Sequence, residues 1–137
     1  MIKTIQDAII TDLTGISSVK TVDVWVGDAD EVAASPALLP ALYCVYEGMS
    51  IGSERVIGGT HADARIHWLV ILIARNLRDA ADAAETCWDI IEDVRTALMG
   101  TTVSTYGRLW PEAENLLSAN KGTLIYGLSY YMDITLP

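Results

Sequence analysis

Alternation between apolar and polar positions is clearest in two stretches of the chain. Between Ala64 and Ala74, the residues Ala64, Ile66, Trp68, Val70, Leu72 and Ala74 fall on one face of an extended backbone. His67, Leu69, Ile71 and Ile73 fall on the other, with Arg65 and Arg75 flanking the run. Because side chains of a strand point alternately to its two faces, apolar residues on both predict a strand in the interior of a sheet. Near the carboxyl end, Leu124, Tyr126, Leu128, Tyr130, Met132 and Ile134 alternate with Ile125, Gly127, Ser129, Tyr131, Asp133 and Thr135. That pattern predicts a strand with one core face and one semi-polar face.

Two stretches keep helical spacing instead. Ile2, Ile5, Ile9 and Leu13 form an amphipathic stripe that Gly15 ends. Ala80, Ala84, Cys87, Ile91, Val94 and Leu98 form a second and longer stripe, opened by Asp79 as a cap and closed by Gly100. Asp82, Glu85, Asp89, Glu92 and Asp93 occupy much of the remaining surface of that helix. Shorter alternations predict strands at Val22–Val26 and Leu42–Glu47. Residues 27–40, with Ser35-Pro36 and Pro40, read as a loop, and residues 101–122, with Trp110-Pro111, as a less regular stretch. Between them these elements predict one α+β domain over residues 1–137, with a mostly antiparallel (mixed) sheet and two main helices packed largely on one face.

A Gly-rich arm at about residues 48–61 interrupts this plan. Gly48, Gly52, Gly58 and Gly59 are interleaved with Met49, Ile51, Val56 and Ile57, and Arg55 lies among them. Glycines at that density predict a mobile connection or a protruding hairpin. A flexible linker needs no apolar residues, so these either pack back onto their own domain or dock on a partner subunit. Met49, Ile51, Arg55, Val56 and Ile57 are therefore the candidate oligomer or partner interface.

Composition narrows the function more by exclusion than by indication. A chain of 137 residues, half of them apolar, can bury a core without staples. A net charge of −9 with scattered Lys and Arg argues against specific nucleic-acid binding, which neutralises phosphates with clustered cations. The first ten residues hold an acid and no uninterrupted apolar core, so no secretory signal is expected. The longest apolar run, Trp68 to Ala74, falls far short of the ~20 residues of a membrane span. A soluble protein made in the cytoplasm is the expectation, with Cys44 and Cys87 as reduced, buried thiols.

Candidate chemistry is sparse. His61, Asp63 and His67 are too few and too apolar in context for a metal site. Asp28, Asp30 and Glu31 lack the later positions of a calcium loop. Glu85, Asp89 and Asp93 share a helical face without a converging cation or His. No Gly-x-Ser-x-Gly elbow is present, neither His has a nucleophile beside it in sequence, and the glycines match no phosphate-binding loop. No catalytic residue and no cofactor are expected.

The phrase Leu39-Pro40-Ala41-Leu42-Tyr43-Cys44-Val45-Tyr46-Glu47-Gly48, the run Trp68-Leu69-Val70-Ile71-Leu72-Ile73-Ala74-Arg75-Asn76-Leu77-Arg78-Asp79 into a long helix, and the closing strand Tyr126–Ile134 together resemble a small tail protein of Mu-like phages and prophages. Its architecture is similar to that of the tail terminators of long-tailed phages. The resemblance implies a structural protein of the virion, made in the host cytoplasm. It would assemble with itself as a hexameric ring on the head-proximal end of the tail tube, stop tube growth and meet a head-side connector. It implies no catalytic residues and no membrane partner, and DNA would pass through the ring, where acidic residues lining the lumen would repel phosphate. Residues 27–38 are shorter and richer in Ala than the resemblance leads one to expect. Two alternatives remain open at the level of sequence: a head-tail connector (neck adaptor), and a small cytoplasmic ligand-binding domain or enzyme.

Overall fold

In the computed structural model the described residues are 1–25, 39–55, 62–75, 80–120 and 122–136, with residues 53–55 and 80 described by backbone alone. Helix α1 (Ile2–Thr14) buries Ile5, Ile9 and Leu13 on the stripe the spacing predicts, and Gly15 follows its last turn. Strand β1 (Thr21–Val24) then runs parallel to the start of β2 (Ala41–Arg55). From there the sheet is antiparallel: β2 pairs with β3 (Ala62–Arg75), and β3 pairs along its whole length with β7 (Thr123–Leu136). Helix α2 (Ala80–Leu98) leads into the short strands β4 (Thr102–Val103) and β5 (Gly107–Arg108), and then into β6 (Trp110–Asn120), which pairs with β7. The five-stranded order is β1-β2-β3-β7-β6, so β3 is the central strand that its two apolar faces call for.

Both helices cover the same face of the sheet. Their buried residues, Ile5, Ile9 and Leu13 from α1 and Cys87, Ile90, Ile91, Val94 and Leu98 from α2, join Leu42, Cys44, Ile66, Trp68, Val70, Leu72, Leu128, Tyr130 and Met132 in one core. On α2 the buried stripe is centred one position away from the predicted one, because Ala83 and Ile90 are buried while Ala84 is half-exposed. Gly100 stands two residues beyond the helix with φ +73°, the left-handed conformation that glycine adopts without strain. The predicted cap Asp79, the end of the first strand at Val26, and residues 27–38 lie outside the described residues.

The open face of the sheet divides into two. In its lower rows Ala41, Tyr43, Ile71, Ile73 and Ile125 form a second buried cluster. In its upper rows the same face carries Ser50, Arg65, His67 and Asp133, all partly or fully accessible.

Two strands differ from the sequence reading. The strand predicted at Leu42–Glu47 continues to Arg55, because a bulge between Tyr46 and Gly48 absorbs one residue and pairing resumes with Gly48 opposite His67. The bulge inverts the alternation: Leu42, Cys44 and Tyr46 face the helices before it, and Met49 faces them after it, opposite Ile66. The stretch 101–122 is likewise more regular than expected, since it contains the eleven-residue edge strand β6. Pro111 is tolerated there because only one side of the strand is paired.

Candidate functional site

The upper half of the sheet brings together side chains that the sequence keeps far apart. Ser50 Oγ lies 3.1 Å from His67 Nε2, and His67 Nδ1 lies 3.5 Å from a carboxylate oxygen of Glu112. Glu112 is the residue absorbed by the bulge between Pro111 and Ala113, which is how an edge-strand acid reaches across β7 to a residue of the central strand. One row above, the Arg65 guanidinium donates to both carboxylate oxygens of Asp133, at 2.7 and 3.2 Å, and lies 4.1 Å from the centre of the Tyr131 ring. The same carboxylate raises the Arg65 pKa, chiefly through that hydrogen bond. Ser50, Arg65, His67 and Asp133 line an open groove of about 740 Å³ that also takes in Gly52, Asp63, Tyr106 and Thr135.

A Ser, a His and a carboxylate in this order are the parts of a nucleophilic triad, and the spacing in sequence hid them. An acyl-transfer site also needs a donor for the developing oxyanion. Arg65, the cation that lines the groove, is already committed to Asp133. The chain of contacts Ser50–His67–Glu112 instead ties β2, β3 and β6 together across the open face. Among the described residues no three of His, Cys, Asp and Glu converge as metal ligands. His61 lies outside them.

The residues predicted as an interface are distributed along the end of β2. Met49 is half-buried and packs on its own core. Ile51, opposite Ala64 and also on the helix side, is 63% exposed. Arg55 is the last residue of β2, and Val56 and Ile57 lie outside the described residues. Beyond Cys44 no described strand pairs with the outer side of β2, so its upper half is a second free edge.

Further exposed apolar residues escaped the sequence reading, with Leu117 over Gly127 on the open face and Leu116 on the helix side. On β6, Leu116 and Leu117 are 51% and 49% exposed, and Trp88, on the outer side of α2, is 55% exposed with its indole N–H directed to the Tyr126 hydroxyl at 3.4 Å. The β6 strand is hooked to α2 by Arg95, whose guanidinium donates to both oxygens of Glu114 at 2.7 and 2.5 Å. Fork-to-fork pairing of this kind fixes orientation as well as adding attraction.

Among the described residues, a mixed five-stranded sheet with two helices on one face, built about a long central strand, can be set beside known proteins. The family model for phage tail terminator proteins matches residues 6–137. The chain belongs to that family. It is a structural protein of the virion tail, in a class whose members act by assembly and not by catalysis. A chain in the solved virion of a native gene transfer agent particle has the same fold, with a TM-score of 0.55 and 17% identity over 98% of this chain and 90% of that one. No curated protein matches the sequence. Among the described residues of this tail terminator, no helix is long and apolar enough to cross a membrane.

Proposed function

We propose that this tail terminator closes with copies of itself into a hexameric ring at the head-proximal end of the tail tube, ends the growth of the tube and offers a surface to a head-side connector. Membership of the family supports termination over the neck-adaptor reading. The observation that carries self-assembly is Ile51, a large apolar side chain left 63% exposed where β2 runs on past β1. The single domain would then act through its arm at about residues 48–61, with Met49, Ile51, Arg55, Val56 and Ile57 against a neighbouring subunit. Met49 serves this contact only from its base, since it already packs on its own core. The protein does its work without chemistry, and DNA passes through the ring without being bound by sequence. The phrases around Tyr43 and Trp68 further suggest a source among Mu-like phages or prophages.

Electron microscopy of tails assembled with and without the protein tests this reading. Tails lacking it should be overlong and headless. Tails of normal length that fail to join heads would move the function to a connector, and normal particles would remove both.

A further inference from the structure

We infer that the open face of the upper sheet is the docking surface for an extended segment of a different virion protein, one that carries Lys or Arg at two positions four residues apart. The inference rests on the proposed function and gives the chemistry of a surface that the ring offers to a neighbour in the particle. Strands β2, β3, β6 and β7 each bring an acid to this face: Glu47, Asp63, Glu112 and Asp133. Arg65 stands among them and is bonded to Asp133, and Glu112 lies beside His67. Glu47 and Asp63 are exposed and form no ion pair with a described residue. Arg65 registers the resulting field, since its pKa is raised first by the hydrogen bond to Asp133 and further by the charge of Glu112.

Shape sets the form of the occupant. The groove of about 740 Å³ holds Asp63, Arg65 and Asp133, and a second hollow of about 490 Å³ holds Glu47 and Glu112. Ser50 and His67 line both, so the two make one trough. On its β2 side Gly48 and Gly52 add no side chain, which leaves the way to His67 and Asp63 open. Glu47 adjoins Gly48, the partner of His67, and Asp63 stands four residues before His67 on β3. Those rows are ~13 Å apart along the strands. An extended segment laid in the trough turns every second side chain toward it, so cations at positions i and i+4 meet Glu47 and Asp63 while position i+2 lies over Ser50 and the Arg65–Asp133 pair.

Charge selects which macromolecule that segment belongs to. DNA would bring phosphates to a face that already repels them. A second copy would bring 18 acids and nine Lys and Arg, of which Lys3, Arg65 and Arg95 are already paired with Asp7, Asp133 and Glu114. A ring contact through Ile51 uses the helix side of β2 and does not cover the open face. A basic segment of another protein relieves the repulsion among the four acids, and complementarity of this kind sets encounter and register more than raw affinity.

Competition during assembly tests the surface. The wild-type chain is mixed in equal amounts with Glu47→Gln/Asp63→Asn and, separately, with Glu85→Gln/Asp89→Asn, which removes the same charge from the exposed side of α2. The ratio of variant to wild type in finished, head-bearing particles is read by mass spectrometry. The first variant should be depleted about tenfold, as the loss of two ion pairs allows, and the second should stay at its input ratio. Equal ratios for the two variants, depleted or not, would overturn the inference. The occupant is tested with Thr135→Cys carrying a benzophenone maleimide, placed on an exposed residue of the groove. Cys44 and Cys87 are buried, and burial pushes their thiols up to about 12 and about 11, so the native cysteines stay silent. Irradiation of finished particles should join position 135 to a segment of a different protein with Lys or Arg at i and i+4. An adduct with a second copy, an adduct with a segment lacking those cations, or no adduct in particles that contain the labelled chain would overturn the inference and leave the proposed function intact. Normal particles assembled without the protein would instead remove the proposed function.

Discussion

The lower and upper halves of the same sheet are built for different work. In the lower rows both faces are buried: Leu42, Leu72 and Leu128 lie under the helices, and Tyr43, Ile71 and Ile125 lie on the opposite side. In the upper rows only the helix side is apolar, with Ala64, Ile66, Met132 and Ile134, while Ser50, Arg65, His67 and Asp133 occupy the open side and Ile51 reaches into solvent. A tail terminator must stay folded before it meets the tail and must then present contact surface. The lower half supplies the first requirement, because two-sided burial holds the strands whatever the upper half touches. The upper half can then carry side chains chosen for contact at little cost to folding.

The sharpest way to break this comparison is to truncate one residue in each half. Leu72→Ala removes a fully buried side chain and should cost about 3 kcal/mol in a urea melt, whereas Ile51→Ala should leave the midpoint within experimental error. Equal losses would mean that the upper half is part of the folding core.

Alkaline pH probes the lower half without mutation. Burial raises the Cys44 thiol to about 12 and the Cys87 thiol to about 11, from an ordinary value of 9.0. Between pH 9 and 11 the unfolded chain releases protons that the folded chain keeps. Stability is therefore fully present below pH 9 and falls as pH rises, by up to ~1.4 kcal/mol per pH unit for each thiol. Cys44→Ala should flatten the slope measured by urea melts across this range. An unchanged slope would show that Cys44 ionises freely.

Two smaller effects sharpen the picture. A side chain at Gly107, where φ is +155°, would bring Cβ to 2.8 Å from the Asp133 carbonyl oxygen in the upper half. Gly107→Ala should cost about 1–2 kcal/mol and disturb the groove around Tyr106 while leaving the lower rows protected from amide exchange. Tyr130 has a buried hydroxyl with no hydrogen-bond partner among the described residues. Tyr130→Phe should be neutral or stabilise by up to about 1 kcal/mol, and a loss of stability would show that the hydroxyl is satisfied after all.

The contrast between the halves also explains what the sequence disclosed. In β3 and β7 the alternation is unbroken, and every residue predicted to face the core between Ala64 and Ala74 does so. Strand β6 was hidden because two bulges in eleven residues put Pro111, Glu114, Leu116 and Ala119 on the helix side, at spacings of three, two and three. That series has neither a strand period nor a helical one. Its exposure, with most of the last seven residues facing solvent, removed the remaining hydrophobic signal. The Ser50–His67–Glu112 contacts were invisible for a related reason. Two of the three residues stand at or just past a bulge, and the contacts join strands that are neighbours only in space. Ile51, by contrast, was legible as an apolar residue among glycines that a mere linker would not need.

Amide hydrogen exchange of the free chain and of the chain assembled on tail tubes tests the division of labour most directly. The account predicts that assembly adds protection to residues 46–55 and leaves the already protected rows of Val70, Leu72 and Leu128 unchanged. Protection gained chiefly in those lower rows, or none gained along the upper half of β2, would contradict it.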